Sequence, residues 1–334
     1  MGSRCIPGQY PLPPANRLLV NTGGRFQDET PEAIRQAGMV TGAVWADVDG
    51  NGWIDLVVTT DWGPVRIFAN EKGRLVEKTA DAALVDRLGW WQAVAAGDFD
   101  EDGDTDFVAT NVGLNTKYRA SPESPELLYY GDFDGSGRAH LVEAKYEGSS
   151  LYPRRDLAAL SGAMPVLMAG FDTFDKFARA PLSEIFTQER LDKAKRFEVN
   201  TLESCLLINE GQFWFRCESL PALAQVAPSM GLDVADLNGD GHLDIVLAQN
   251  FYSPQPSTGR MDGGVSLLLL GTGRGSFEPV WPNRSGIVVP GDARQVKAVD
   301  LDGDGRRDLV FAVQNGRWQS FHNRFIPPTT KSGE

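Results

Sequence analysis

The stretch Asp300-Leu301-Asp302-Gly303-Asp304-Gly305-Arg306-Arg307-Asp308, followed by the apolar run Leu309 to Ala312, sets a pattern that this chain repeats. Oxygen-bearing side chains stand at positions 1, 3, 5 and 9, glycine stands at position 6, and an aliphatic run leaves the far side. In chain order, the first copy places Asp47, Asp49, Asn51 and Asp55 before Leu-Val-Val, and the second places Asp98, Asp100, Asp102 and Asp106 before Phe-Val-Ala. The third places Asp132, Asp134, Ser136 and His140 before Leu-Val-Glu-Ala, and the fourth Asp236, Asn238, Asp240 and Asp244 before Ile-Val-Leu-Ala. Oxygen ligands at positions 1, 3 and 5 of a tight loop converge on one point. Glycine at position 6 permits the sharp turn, and a carbonyl near position 7 completes a site for a hard cation. An EF-hand would need a bidentate Glu at position 12 and helices on both sides. Here position 9 is Asp in four copies, and short β-type stretches enter each loop, such as Gly42 to Ala46 and Gln295 to Val299. Each loop therefore reads as the turn of a β-hairpin whose mouth holds Ca²⁺, with four or five ions expected. Acidic turns that bind nothing are the plain alternative, strongest for the third copy, where Ser136 and His140 replace two carboxylates.

Those residues also carry a resemblance. The five hairpins resemble the FG-GAP/VCBS repeats of integrin-α-type β-propellers. The segments Asn16 to Thr30, Gly42 to Val58, Met164 to Ala180 and Asn250 to Gly264 are similar to the bacterial relatives of cartilage acidic protein, the group often found beside ASPIC/UnbV domains. The resemblance implies an all-β propeller with structural calcium and an adhesion-type role. Fold is the stronger implication, because such folds host many functions.

A second hairpin type alternates with the first: Leu18 to Phe26, Ile67 to Leu75, Leu206 to Phe213 and Leu267 to Phe277. In a blade of four antiparallel strands the calcium loop would join the inner pair and this hairpin would form the outer pair. One blade would run from about Ala43 to Thr79. Five calcium hairpins suggest five blades, with six or seven open. Residues 1–15 read as a disordered tail, 16–326 as a propeller closed by pairing of its N- and C-terminal strands, and 327–334 as a second tail. Strand exchange of that kind would remove an exposed sheet edge. Residues 154–200 interrupt the repeat. The phenylalanines at 171, 174 and 177 and the apolar spacing from Leu182 to Phe197 predict two or three short amphipathic helices inserted in the third blade.

The 16 carboxylates at the loops' ligand positions can account for the net charge of −13, and such a surface disfavours nucleic acid and anionic membranes. The longest aliphatic run is Leu267 to Leu270, too short to span a bilayer as a helix. Residues 1–15 lack the apolar core of a secretion signal. Calcium sites of this kind fill at micromolar to millimolar Ca²⁺, which argues for an extracytoplasmic home, secreted, periplasmic or at the cell surface. Cys205 and Cys217 stand symmetrically about Gly211, so a hairpin centred there would set them face to face, close enough to pair in an oxidising compartment; two small buried hydrophobes is the other reading.

Catalytic chemistry is scarce. His140 and His242 lie inside calcium loops, His322 has no recognisable partner, and no nucleophile elbow, zinc-protease helix, Walker A or dinucleotide fingerprint occurs. Tyr146, Tyr152, Arg154 and Arg155 could bind an anionic sugar or seat the helices through cation-π and ionic contacts. Trp53, Trp62, Trp90 and Trp91 could stack on sugars, or Trp45, Trp91 and Trp214 could pack between blades. The loop from Asn250 to Gly264 offers Tyr252, Gln255, Arg260 and Asp262 to a partner. The expected function is a calcium-binding interaction module for a protein or carbohydrate ligand. A lectin or a carbohydrate-active lyase or hydrolase stands as the alternative.

Overall fold

The computed structural model describes residues 2–255 and 258–325. Antiparallel sheets dominate, helices are few and short, and the chain divides into two compact units. The larger comprises the residues up to Asp86, Trp90–Lys117 and those from Leu202 onward; the smaller comprises Arg87–Gly89 and Tyr118–Thr201.

Each calcium-type loop joins two neighbouring antiparallel strands, as the sequence predicts. In the larger unit the first sheet orders Met39–Ala46, Asp55–Gly63, Arg66–Glu71 and Arg74–Glu77. The fourth orders Ser229–Ala235, Asp244–Gln249, Leu267–Gly271 and Phe277–Val280. The fifth has Ala293–Val299, Asp308–Val313 and Gln319–Phe321. The second sheet is discontinuous in sequence. Val94–Gly97 and Asp106–Ala109 are followed in space by Cys205–Asn209 and Phe215–Ser219, with Tyr118–Thr201 of the smaller unit lying between them in the chain. The hairpin after Leu206 therefore completes the second sheet.

The strands after the second and fourth loops read as unbroken apolar runs because neighbouring sheets cover both of their faces. In the larger unit alternate residues serve opposite neighbours. Val57 and Ile67 of the first sheet pack with Phe107, Ala109 and Leu207 of the second. Val108, Leu206 and Ile208, on the second sheet's other face, pack with Ile245, Leu247 and Leu269 of the fourth. Val246 and Ala248 then meet Val296, Leu309 and Phe311 of the fifth. The residues one and three places after the position-9 Asp thus face the preceding sheet, and those two and four places after it face the following one. On the first sheet's outer flank, Leu56, Val58 and Phe68 are met by Ile34 and Ala37, beside the short helix Glu32–Arg35.

Strand pairing between the chain's two ends does not form among the described residues. The hairpin Leu19–Thr22 and Arg25–Asp28 pairs only with itself, and the fifth sheet stops at three strands. Leu18 is drawn instead onto the apolar flank of the first sheet. Residues 2–15, read as part of a tail, carry specific contacts: Arg4 pairs with buried Asp61 at 2.9 Å, Ser3 N donates to Asn16 Oδ1, and Trp62 Nε1 donates to the Tyr10 hydroxyl. The tail expected at 327–334 lies outside the described residues.

In the smaller unit the third sheet orders Ser150–Pro153, His140–Glu147, Glu126–Gly131 and Lys195–Val199. Between its first-named and last-named strands run five short helices, Leu157–Ala163, Leu167–Gly170, Phe174–Arg179, Leu182–Ile185 and Gln188–Lys193, where two or three were expected. Asp156 and Thr173 cap the first and third by accepting from N–H groups three residues on. Leu160, Met164, Phe177, Leu182, Phe186 and Leu191 bury against Leu127, Tyr129 and Val142 of the sheet. Phe174, included in the predicted apolar stripe, is exposed, because turns break the helical phase. Arg154 forks onto buried Glu126 and stacks on Tyr118, with its Cζ 4.6 Å from the ring centre; Arg155 pairs with Glu143 at 3.1 Å. The cation-π partner is thus Tyr118, where Tyr146 and Tyr152 had been the candidates.

Cys205 stands opposite Ser219 and Cys217 opposite Leu207. The predicted face-to-face arrangement fails because the connection runs from Glu210 to Trp214, with Gln212 and Phe213 at positive φ, so the hairpin is not centred on Gly211. The tryptophans divide between the two readings. Trp91 is buried and Trp62 meets buried Trp90 edge-on at 5.1 Å, while Trp45 and Trp214 are exposed.

Candidate metal centres

The loops share one hydrogen-bond scheme. In all five, the position-1 carboxylate accepts from the position-6 glycine N–H: Gly52 to Asp47 at 2.8 Å, Gly103 to Asp98 at 3.1 Å, Gly137 to Asp132 at 2.8 Å, Gly241 to Asp236 at 3.0 Å and Gly305 to Asp300 at 2.9 Å. The position-5 side chain accepts from the position-7 N–H, as in Trp53 to Asn51 and His242 to Asp240. Those bonds need the left-handed backbone, which glycine adopts at least cost, at position 6 of every loop.

The position-9 Asp is a buried bolt, a role that its reading as a ligand alone missed. One oxygen accepts from the position-2 N–H: Val48 to Asp55 at 2.8 Å, Phe99 to Asp106 at 3.0 Å, Leu237 to Asp244 at 2.8 Å and Leu301 to Asp308 at 3.0 Å. The other accepts from a third-strand or following N–H: Asn70, Asn209, Gly271 and Asn323, at 2.6, 2.8, 2.9 and 2.7 Å. Burial pushes Asp106 and Asp244 up to about 6 and raises Asp55, with neighbouring loop carboxylates adding to the shift. Asp308 goes the other way: the Asn323 N–H lowers it, with the Leu301 N–H adding to that, and together they outweigh the rise from burial.

Carboxylates converge in three of these loops. Asp47, Asp49 and Asp55 bring oxygens within 4.8 Å of one another, as do Asp98, Asp100 and Asp106, and Asp300, Asp302 and Asp304. In the second loop Asp98 Oδ1 and Asp100 Oδ1 are buried without a hydrogen-bond partner. Buried, unsatisfied carboxylate oxygens in an all-oxygen set suit a hard cation. In the fourth loop Asn238 Nδ2 donates to Asp240 Oδ2 at 2.8 Å, drawing those two side chains onto each other. In the third, His140 Nε2 lies 3.4 Å from Asp134 Oδ2, and the helical Arg190 donates to the Phe133 carbonyl. Hydrogen bonds from Ser136 hold Asp134 down at about 2. His322, which had no partner in the sequence, comes within 3.4 Å of Asp302 Oδ2 and Asp308 Oδ2. Only the strand Gln319–Phe321, too short to recognise as a third strand, could have signalled it.

Neighbouring loops are linked. Asn209 Nδ2 donates to the Val48 carbonyl, Gly275 N to the Phe99 carbonyl, and Asn323 Nδ2 to the Leu237 carbonyl, each from the following sheet to position 2 of the preceding loop. Glu101, at positive φ where the other loops have glycine, bonds His242 of the fourth loop and raises its pKa. Away from the loops, Arg260 stacks over Tyr252 at 4.9 Å, and the Tyr252 N–H donates to Asp292. Gln255 accepts from Thr258 N through its carbonyl, and Asp262 is exposed. No helix among the described residues is long and apolar enough to cross a membrane.

The FG-GAP-like repeat family matches residues 47–109, which span the first two loops. No curated protein matches the sequence. Among solved structures, the Bacillus licheniformis rhamnogalacturonan lyase PL11 aligns at 14% identity with a TM-score of 0.36, over 92% of this chain and 49% of that one. The rhamnogalacturonan lyase YesW aligns at 12% identity with a TM-score of 0.25, over 82% of this chain and 55% of that one. The chain spans about half the length of both.

Proposed function

We propose that the chain is a calcium-binding FG-GAP module of propeller type that acts outside the cytoplasm as an interaction surface for a protein or carbohydrate partner. The observation that carries this reading is the repeated loop in which a position-1 carboxylate, a position-9 bolt and a glycine turn recur with one bonding scheme. A single catalytic centre would need no such repetition. Asp47, Asp49, Asn51 and Asp55 would hold one ion, Asp98, Asp100, Asp102 and Asp106 a second, Asp236, Asn238, Asp240 and Asp244 a third, and Asp300, Asp302, Asp304 and Asp308 a fourth. The third loop, through Asp132, Asp134 and Ser136, has least need of one, since His140 and Arg190 stand beside it. The ion would neutralise carboxylates that otherwise repel one another and raise each other's pKa. Its role is structural, and the mouths lie where loops of adjacent sheets are tied together.

Calcium titration of chelator-treated protein by calorimetry, with melting curves in both states, tests the reading. Uptake of several ions and a markedly higher melting temperature in calcium are expected. An unchanged melt after complete calcium removal would refute it.

A further inference from the structure

Within the larger unit each calcium loop offers the next sheet the same two features, a position-2 side chain and a position-2 carbonyl. Val48, Phe99 and Leu237 are buried beneath the following sheet, and their carbonyls accept from Asn209, Gly275 and Asn323. Even in the smaller unit Phe133 is buried under the helices, and Arg190 meets its carbonyl. The fifth loop breaks the rule. Leu301 is 46% exposed against 8% for Leu237, Val299 beside it is 38% exposed, and no described residue donates to the Leu301 carbonyl. Val310 and Ala312, counterparts of the buried Val246 and Ala248, are half-buried on the same flank.

The complementary half of such a junction stands at the first sheet. Leu56 and Val58 occupy the places that Phe107 and Ala109, Ile245 and Leu247, and Leu309 and Phe311 fill where they meet a preceding sheet. The hairpin and short helix cover only part of this flank. A cleft of about 580 Å³ remains, walled by Leu18, Phe26, Ala43, Trp45 and Val58, with Trp45 48% and Phe26 71% exposed. Asn70 is the counterpart of Asn209 and Asn323. It donates one amide hydrogen to its own Ile54 carbonyl, as Asn209 does to Thr105, which leaves the other for a preceding loop.

We propose that the fifth-sheet flank of one copy docks on the first-sheet flank of a second copy, head to tail, repeating the internal junction between molecules. This deepens the interaction-module reading and rests on it. The occupant is a second copy because both halves of the junction are on this chain and each matches surfaces already joined within it. A heterologous contact of this kind propagates or closes into a ring.

Sedimentation velocity of the full chain in calcium, across the micromolar range, is the test, with Trp45→Arg and Val299→Arg each checked for an unchanged melt. The wild type should associate with concentration, and each variant alone should stay monomeric. A mixture of the two should form a 1:1 dimer, since each supplies the half that the other has lost. A monomeric wild type, a variant that still self-associates, or a mixture that stays monomeric would overturn the proposal. A monomer that takes up calcium would sink the docking and leave the metal reading standing. Association without calcium uptake would do the reverse.

Discussion

Replacing Asp106 by alanine separates the two roles of the position-9 carboxylate. The side chain accepts two buried backbone N–H groups, from Phe99 and from Asn209. Hydrogen bonds to a charged acceptor contribute about 1.5–3 kcal/mol each, so their loss costs about 3–6 kcal/mol. In metal-free protein at pH 7 a second effect opposes this. Burial and the neighbouring carboxylates hold Asp106 near 6, about two units above an ordinary Asp, and removing that strained charge returns about 3 kcal/mol. D106A should therefore cost only about 0–3 kcal/mol in chelator. Calcium removes the charge penalty, and the variant should then lose the full 3–6 kcal/mol together with a ligand. Urea unfolding of wild type and variant, each with calcium and with chelator, closes the cycle. D308A provides the contrast: its carboxyl lies below the ordinary value, so the alanine variant gains no relief in chelator and should cost several kcal/mol in both conditions. Equal cost of D106A with and without calcium would refute a ligand role for Asp106 and leave it as a bolt alone.

Metal-free protein should lose stability as pH rises. Asp106 and Asp244 have folded pKa values of about 6, above the unfolded value near 4, so the folded state binds more protons between the two. The melting temperature in chelator should fall from about pH 4 to about pH 6, and saturating calcium should flatten that slope. In the smaller unit, R154A leaves buried Glu126 with its Arg119 N–H bond at 3.0 Å but without its fork, and should cost about 3–5 kcal/mol, read by urea unfolding.

The acidic-loop hairpins were legible because their signal is local: the spacing of the acidic residues, the glycine turn and the apolar exit lie within one short window. The outer hairpins at Ile67 and Leu267 were legible for the same reason. What failed depended on distance. Nothing around Leu206 says that it pairs with Val108 across the smaller unit rather than with the third hairpin. The cysteine register turned on Gln212 and Phe213 adopting positive φ, which neither residue type signals. Trp45 was one of the tryptophans that could have packed between blades, yet its neighbour in the stacking order is absent among the described residues. The bolt role of Asp55, Asp106, Asp244 and Asp308 was hidden because an aspartate at that position suits a ligand and a hydrogen-bond acceptor alike.

Completion of the second sheet between Ala109 and Cys205 makes the intervening chain a closed loop. For a flexible chain of about a hundred residues, closure alone costs on the order of 4 kcal/mol of entropy. A segment that first folds with its ends together presents a far shorter effective loop. The helices and third sheet thus act on folding order. During synthesis Asp106 emerges well before Asn209, its partner 103 residues on, so the second sheet stays half-built with one apolar face uncovered until the inserted cassette has folded. A lesion in that cassette would register first as a failure of the second sheet to close.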